Sequence, residues 1–166
     1  FVPLTKYQGG GPEAVLEPLK DHLKEYRQLM MQYYGAGVQA CYRGPRLYDA
    51  DTTKQMVKET ISWYKRYRKI LNADIIQLRR ADGRDWDGWM HVDPALPQKG
   101  LMMLFNPTDA PITRTIELPL YYTGKKKSVI IRNEMGVGTR FTISRSYTVP
   151  FTFSLPANGY SWFVIE

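Results

Sequence analysis

The loop YRGPR at residues 42–46 holds the side chains best suited to binding chemistry in this sequence. It follows the apolar run GVQAC and precedes a long helical pattern, and its proline restricts the backbone. The guanidinium groups of Arg43 and Arg46 can donate paired hydrogen bonds to hydroxyl or carboxylate oxygens, and Tyr42 adds an aromatic face. The same arginines can instead pair with Asp49 or Asp51 and brace the loop. The sequence leaves both interpretations open.

Other polar residues offer weaker chemistry. Asp82, Asp85 and Asp87 fall in a predicted turn, where aspartate serves backbone geometry. His22 and His91 have no second histidine at ligand spacing, so we predict neither a metal site nor a catalytic triad. We therefore expect no cofactor and assign no catalytic residue within this sequence.

Composition and charge limit the function classes. The chain has 166 residues and a formal net charge of +7 at pH 7. The basic clusters at 64–69 and 125–127 suit a helix end and a surface turn, and no nucleic-acid motif accompanies them. No apolar run approaches the roughly 20 residues of a membrane span. We therefore expect neither nucleic acid nor a membrane as partner. The single cysteine, Cys41, lies in an apolar run and is expected to be a buried, inert thiol.

The first half, residues 1–72, alternates predicted strands and helices. Strands are predicted at 1–7 and 37–41, and helices at 18–34 and 52–71, where apolar residues recur at helical spacing. This alternation predicts a parallel sheet with helical crossovers. Two such units cannot close a sheet, so we expect an exposed strand edge that permits self-association.

The second half, residues 73–166, consists of predicted strands separated by turns rich in glycine, proline and asparagine. The spacing predicts an antiparallel β-sandwich of about eight strands. Pro150 lies within a strand-like run, which favours an edge strand or a bulge at that position. The predicted fold class is therefore α+β, with the boundary between the halves near residue 72.

Several stretches of the sequence resemble α-galactosidase-like bacterial glycoside hydrolases. They are FVPLTKYQGGG, GAGVQACYRGPRLYD, WYKRYRKILNADIIQLRRADGRD, KGLMMLFNPTDAPITRTIELPLYYTG and the ending SLPANGYSWFVIE. The order of elements is also similar to that of the clan of α-galactosidases and α-glucosidases. The resemblance implies the last two β/α units of a (β/α)8-type barrel, followed by a C-terminal antiparallel β-sandwich.

This resemblance implies a role for the loop. GVQAC would be the last barrel strand, and the loop after it would lie at the barrel face that carries the active site. Tyr42, Arg43 and Arg46 would then bind a carbohydrate substrate, and Tyr7 and Gln8 would share the rim. The clan's catalytic aspartates lie on earlier barrel strands, so we expect part of a longer glycoside hydrolase that is inactive alone. Its compartment stays open, with periplasmic and extracellular locations among the alternatives.

Two other functions stay open at this point. The second half can be a stand-alone carbohydrate-binding β-sandwich, with Tyr121, Tyr122, Trp86 and Trp89 as stacking platforms. The same aromatic residues can instead pack in a core or between domains. Trp86 and Trp89 are three residues apart, so they point to opposite sides of a strand. The last alternative is a basic interaction module.

Overall fold

The computed structural model describes residues 2–3 and 16–166. The chain divides into two compact units, Phe1–Leu71 and Asn72–Glu166. Two α-helices lie in the first unit and antiparallel sheets make up the second, which confirms the α+β class predicted from the sequence. No helix in the described part is long and apolar enough to cross a membrane.

The first unit combines a short parallel strand pair with two helices. Its elements are β1 (Val2–Pro3), a 3-10 helix (Leu19–His22), α1 (Leu23–Gly35), β2 (Tyr42–Arg43) and α2 (Asp51–Leu71). β1 and β2 run parallel, with Val2 opposite Tyr42. The connection between them contains α1, as parallel neighbours require a crossover of this kind. The pair is parallel, as predicted for this half, but it spans two residues of each strand and its second strand is Tyr42–Arg43 instead of residues 37–41.

The strand predicted at residues 37–41 is wrong. Gly37 and Val38 donate backbone hydrogen bonds of 3.0 and 3.2 Å to carbonyl oxygens in the last turn of α1, and Gly37 has a φ of 76°. These bonds wrap the chain around the end of the helix, so its backbone N–H groups do not enter a strand ladder. The buried thiol predicted there is also wrong, because Cys41 is exposed.

Helices α1 and α2 bury their apolar faces in one cluster. Tyr26 and Met30 of α1 are fully buried there, together with Met56 and Val57 of α2. Apolar spacing of three and four residues predicts such a stripe on α2. Thr60 belongs to the stripe, and its hydroxyl donates to the carbonyl oxygen of Met56 at 2.9 Å. That hydrogen bond satisfies a polar group that would otherwise destabilise the core.

The second unit contains two antiparallel sheets. The larger sheet has the strand order β3-β4-β5-β10-β7-β8, and β6 pairs with β9 in a two-stranded sheet. The strands are β3 (Asp74–Arg79), β4 (Asp87–Val92), β5 (Gly100–Asn106), β6 (Ile112–Pro119), β7 (Ser128–Asn133), β8 (Gly138–Thr142), β9 (Thr148–Leu155) and β10 (Gly159–Ile165). Their number agrees with the antiparallel arrangement predicted from turn spacing.

Apolar side chains from both sheets meet in the core of the second unit. Met102 and Phe163 come from the larger sheet, and Leu118 and Phe153 come from the smaller one. β9 alternates between buried and less buried positions, as expected for a strand with one face in a core. Pro150 lies in β9, which pairs with β6 in the two-stranded sheet. The edge position predicted for this proline is confirmed.

Candidate functional site

The loop predicted to bind substrate joins β2 to α2. Tyr42 and Arg43 form β2, and Arg46 lies in the segment that follows. Tyr42 is half-buried, whereas Arg43 and Arg46 are exposed. Tyr7 and Gln8 lie outside the residues that the structure describes. The described part of the predicted site is therefore one aromatic and two cationic side chains on a short stretch of backbone.

Tyrosine side chains hold this loop against the helices. The hydroxyl groups of Tyr42 and Tyr34 form a hydrogen bond of 3.1 Å. Tyr26 is fully buried, and its hydroxyl donates to the carbonyl oxygen of Leu47 at 2.9 Å. The ring of Tyr34 also packs on that of Tyr64 in α2, with ring centroids 4.8 Å apart. The loop is thus attached to α1 both at its start and near its middle.

Burial raises the pKa of two of these phenols, Tyr42 and Tyr26. Desolvation raises the pKa of Tyr42 above its ordinary value, and the hydrogen bond with Tyr34 raises it further. Desolvation also raises the pKa of Tyr26, with a smaller electrostatic contribution from Tyr34. Neither phenol can act as a general base near neutral pH. Tyr42 can instead offer a ring surface and a hydrogen-bonding hydroxyl.

The far end of the loop is fixed where α2 begins. Asp49 accepts a hydrogen bond of 3.2 Å from the backbone N–H of Lys20, and its other oxygen lies 3.0 Å from the Thr53 hydroxyl. That hydroxyl also accepts the backbone N–H of Ala50 at 3.0 Å, so these residues cap the helix. Burial raises the pKa of Asp49, but the hydrogen bonds from Lys20 and Thr53 outweigh it and hold the pKa below its ordinary value. Asp49 thus contacts α2 through the Thr53 side chain, and Asp51 is the exposed first residue of α2.

Arg46 pairs with Glu17 and not with Asp49 or Asp51. Its Nε lies 3.3 Å from Glu17 Oε1, and 54% of the Arg46 side chain stays exposed. An exposed pair of this kind contributes at most about 1 kcal/mol. Such a pair can open when a ligand oxygen arrives, so the geometry suits both bracing and binding.

Sequence reasoning missed the residues that position the loop. Helical spacing identified Tyr26 as a core position, but periodicity does not show where a buried hydroxyl finds its acceptor. Tyr34 marked only the end of a predicted helix. Glu17 is 29 residues from Arg46 in the chain, and no local pattern links positions so far apart. These contacts depend on how α1 packs, which only the three-dimensional structure reveals.

The turn aspartates of the second unit have structural roles. Asp82 binds Arg79 through both carboxylate oxygens, at 3.2 and 2.8 Å. This contact is the main cause that lowers the pKa of Asp82 to about 2. Asp85 pairs with Arg114 at 3.1 Å. Burial raises the pKa of Asp87 above its ordinary value.

The described residues contain no cluster of histidine and carboxylate side chains that could bind a metal ion. Among them, no three His, Cys, Asp or Glu side chains are grouped closely enough to hold an ion. His22 pairs with Glu25 at 2.9 Å near the surface, and His91 is buried in β4. His22 belongs to the first unit and His91 to the second.

The four aromatic residues considered as stacking platforms differ in exposure. Trp86 is buried and meets the ring of Phe153 edge-on, with centroids 5.2 Å apart. Trp89 is half-buried. Tyr121 and Tyr122 are exposed over 63% and 61% of their surfaces. Core packing is thus the role of Trp86, whereas the two tyrosines face solvent.

Comparison with known proteins identifies the fold. No protein-family model and no curated protein matches the chain. A GH27 β-L-arabinopyranosidase from Geobacillus stearothermophilus matches 87% of this chain at 12% identity, with a TM-score of 0.58 over 30% of that protein. The α-galactosidase I of Mortierella vinacea matches 86% of this chain at 14% identity, with a TM-score of 0.55 over 35% of that protein. The chain thus spans about a third of the length of these structures. The resemblance to α-galactosidase-like glycoside hydrolases is confirmed at the level of the fold.

Proposed function

We propose that this chain is the C-terminal portion of a glycoside hydrolase that acts on carbohydrate. The first unit forms the last two β/α units of a (β/α)8-type barrel, and the second is the accessory β-sandwich. The observation that carries this proposal is the structural match of 86–87% of the chain to two glycosidases of which it spans only part. A helical unit followed by a sandwich in one chain fits the C-terminal portion of a glycosidase better than it fits a stand-alone binding module.

The backbone of the first unit supports the barrel assignment. β1 and β2 are parallel, and α1 lies in the connection between them. In (β/α)8 barrels the loops that follow the carboxyl ends of the strands form the active-site face. Tyr42 and Arg43 form β2 and Arg46 follows it in the chain, so these residues belong to that face if β2 is a barrel strand.

The loop chemistry suits a sugar ligand. Guanidinium groups donate to hydroxyl oxygens, and a tyrosine ring packs against the apolar face of a pyranose. We assign Arg43 and Arg46 to hydrogen bonding with substrate and Tyr42 to ring packing, and we include Tyr7 and Gln8 among the substrate-binding residues. Glycoside hydrolysis generally needs a pair of carboxyl groups on either side of the scissile bond. We assign that pair to the upstream barrel strands, so this chain orients the substrate and does not itself cleave it.

The test uses the longer protein that includes the upstream strands, assayed with aryl α-galactosides and aryl β-L-arabinopyranosides. Arg43→Ala and Arg46→Ala should each lower kcat/KM about tenfold, with little change in melting temperature. The matched control is Arg27→Ala, because Arg27 is also an exposed arginine with one surface ion pair, to Glu59. Unchanged kinetics together with a clear loss of stability would assign Arg43 and Arg46 to bracing.

The isolated 166-residue chain provides a second test. It should hydrolyse neither aryl glycoside above the buffer rate. Turnover by the pure chain, abolished by replacing one of its own carboxylates, would refute the assignment of the catalytic pair to upstream strands.

A further inference from the structure

The second unit contains an open cleft of about 570 Å³ that the proposed barrel role does not use. Its lining includes Asp74, Ile75 and Gln77 at the start of β3, together with Pro94 and Tyr122. The volume lies within the roughly 300 to 1,000 Å³ of small-molecule sites. The lining mixes one carboxylate, one amide, aliphatic surface and an aromatic ring.

Tyr122 is held rigidly although its side chain is exposed. It lies in a 3-10 turn (Tyr121–Thr123) next to Leu120, which is fully buried. The Thr123 hydroxyl is buried and donates to the Leu120 carbonyl oxygen at 2.6 Å. Gly124 ends the turn with a φ of 74°. A rigid backbone that presents an aromatic side chain to solvent lowers the entropy cost of stacking a ligand on it.

The ring of Tyr122 contacts the neighbouring ring of Tyr121. Tyr121 meets Tyr122 at an interplanar angle of 90° with centroids 5.3 Å apart. Tyr121 is itself fixed edge-on against Tyr147 at 5.2 Å. Tyr121 therefore supports the second ring, and Tyr122 is the one that lines the cleft.

Polar groups of the cleft suit neighbouring hydroxyls. Asp74 and Gln77 are both exposed at the start of β3, but a separation of three residues places their side chains on opposite faces of the strand. Asp74 therefore provides the polar contact, because a carboxylate accepts hydrogen bonds from two hydroxyls at once. No lysine or arginine is among the described residues that line the cleft, so its one formal charge disfavours an anionic ligand.

We propose that this cleft binds one pyranose unit of a neutral oligosaccharide, with Tyr122 stacking on the sugar ring and Asp74 accepting its hydroxyls. The site belongs to the second unit and involves none of the residues assigned to the barrel loop. It provides the sandwich with a sugar-binding role of its own. Its success or failure is independent of the proposed function of the loop.

The test is an NMR titration of the ¹⁵N-labelled 166-residue chain with methyl α-D-galactopyranoside, maltotriose and galacturonate. A neutral sugar should cause saturable shifts at residues 74–77 and 121–124, and galacturonate should bind more weakly. Tyr122→Ala should raise the Kd about tenfold or more, and Tyr122→Phe should stay within about twofold of wild type because the ring is kept. Asp74→Asn should also weaken binding.

One control variant separates this site from other surfaces. Tyr48→Ala removes another exposed tyrosine, which lies in the first unit with 46% of its surface exposed, and should leave the Kd unchanged. The proposal is overturned if no neutral sugar gives saturable shifts, if Tyr122→Ala binds as wild type does, or if galacturonate binds as tightly as the neutral sugars.

Discussion

The hydrogen bond between Tyr34 and Tyr42 offers the sharpest test of how the loop is held. Replacing either tyrosine by phenylalanine keeps the ring and removes one hydroxyl from the 3.1 Å pair. A hydrogen bond contributes a net 0.5 to 1.5 kcal/mol, roughly, and a buried partner left unsatisfied costs about 1 to 3 kcal/mol. Tyr42 is half-buried, so water can partly replace the lost partner. We expect each single variant to lose about 1 kcal/mol of stability.

The double variant makes the test decisive. Once one hydroxyl is gone, removing the second costs little, because no unsatisfied group is left behind. Tyr34→Phe/Tyr42→Phe should therefore lose about as much as one single variant, which gives a coupling energy of about 1 kcal/mol. The contact between the rings of Tyr34 and Tyr64 at 4.8 Å survives all three changes.

Urea unfolding followed by circular dichroism at 222 nm is the appropriate assay. Both α-helices lie in the first unit, so this signal reports mainly on the unit that contains the loop. Tyr48→Phe serves as the control, because the Tyr48 side chain is exposed. Loss of its hydroxyl should change the free energy of unfolding by less than about 0.5 kcal/mol. Strictly additive losses in the double variant would show that the two hydroxyls do not interact, and the account of how the loop is anchored would be refuted.

Three further predictions concern stability. Trp63 packs against the core of the first unit, and Trp63→Ala should cost more than about 2 kcal/mol in the same assay; a change near zero would mean that the ring contributes no packing. Asp82 has a pKa lowered to about 2, chiefly by its hydrogen bonds with Arg79. The stabilisation from this carboxylate is therefore present above the ordinary pKa of 3.8 and is lost as the pH falls through about 2. Asp82→Asn should lower the melting temperature much more at pH 7 than at pH 2, and an equal loss at both values would contradict this. A Cβ added at Gly88 would collide with the Met103 carbonyl oxygen, so Gly88→Ala should destabilise the sandwich by about 2 kcal/mol or more, measured by near-ultraviolet circular dichroism. Wild-type stability would show that β4 shifts freely.

The spacing of apolar residues predicted those elements whose local sequence preference agrees with their packing in the folded protein. The stripe on α2 that includes Met56 and Tyr67 is buried as its spacing predicts, and β9 alternates as a sandwich strand should. The strand expected at residues 37–41 fails for a reason the pattern cannot show. An apolar run after a helix can form an extended strand or can fold back to cap that helix. Gly37 in the left-handed region makes the capping conformation accessible.

The sequence predicted the residue types of the candidate site but not the contacts that hold its loop in place. Exposed arginines between a strand and a helix are visible in the sequence, because glycine, proline and charge mark the loop. The partner of Arg46 is Glu17, and the acceptor of Tyr26 is a carbonyl oxygen in the loop itself. Both contacts arise from the packing of α1 and leave no local signal in the sequence.

The way the loop is held bears on what it is for. Buried hydroxyls and a helix cap fix its backbone through Tyr26, Tyr42 and Asp49, yet Arg43 and Arg46 keep exposed side chains. Exposed cations add little to folding stability, so stability alone does not account for two arginines on an anchored backbone. The proposed substrate binding would account for them, because a backbone ordered before the ligand arrives loses less entropy when the complex forms. If the anchoring serves this purpose, Tyr26→Phe should weaken substrate binding in the longer protein through loss of loop order, although Tyr26 is buried in the helical core and contacts no ligand.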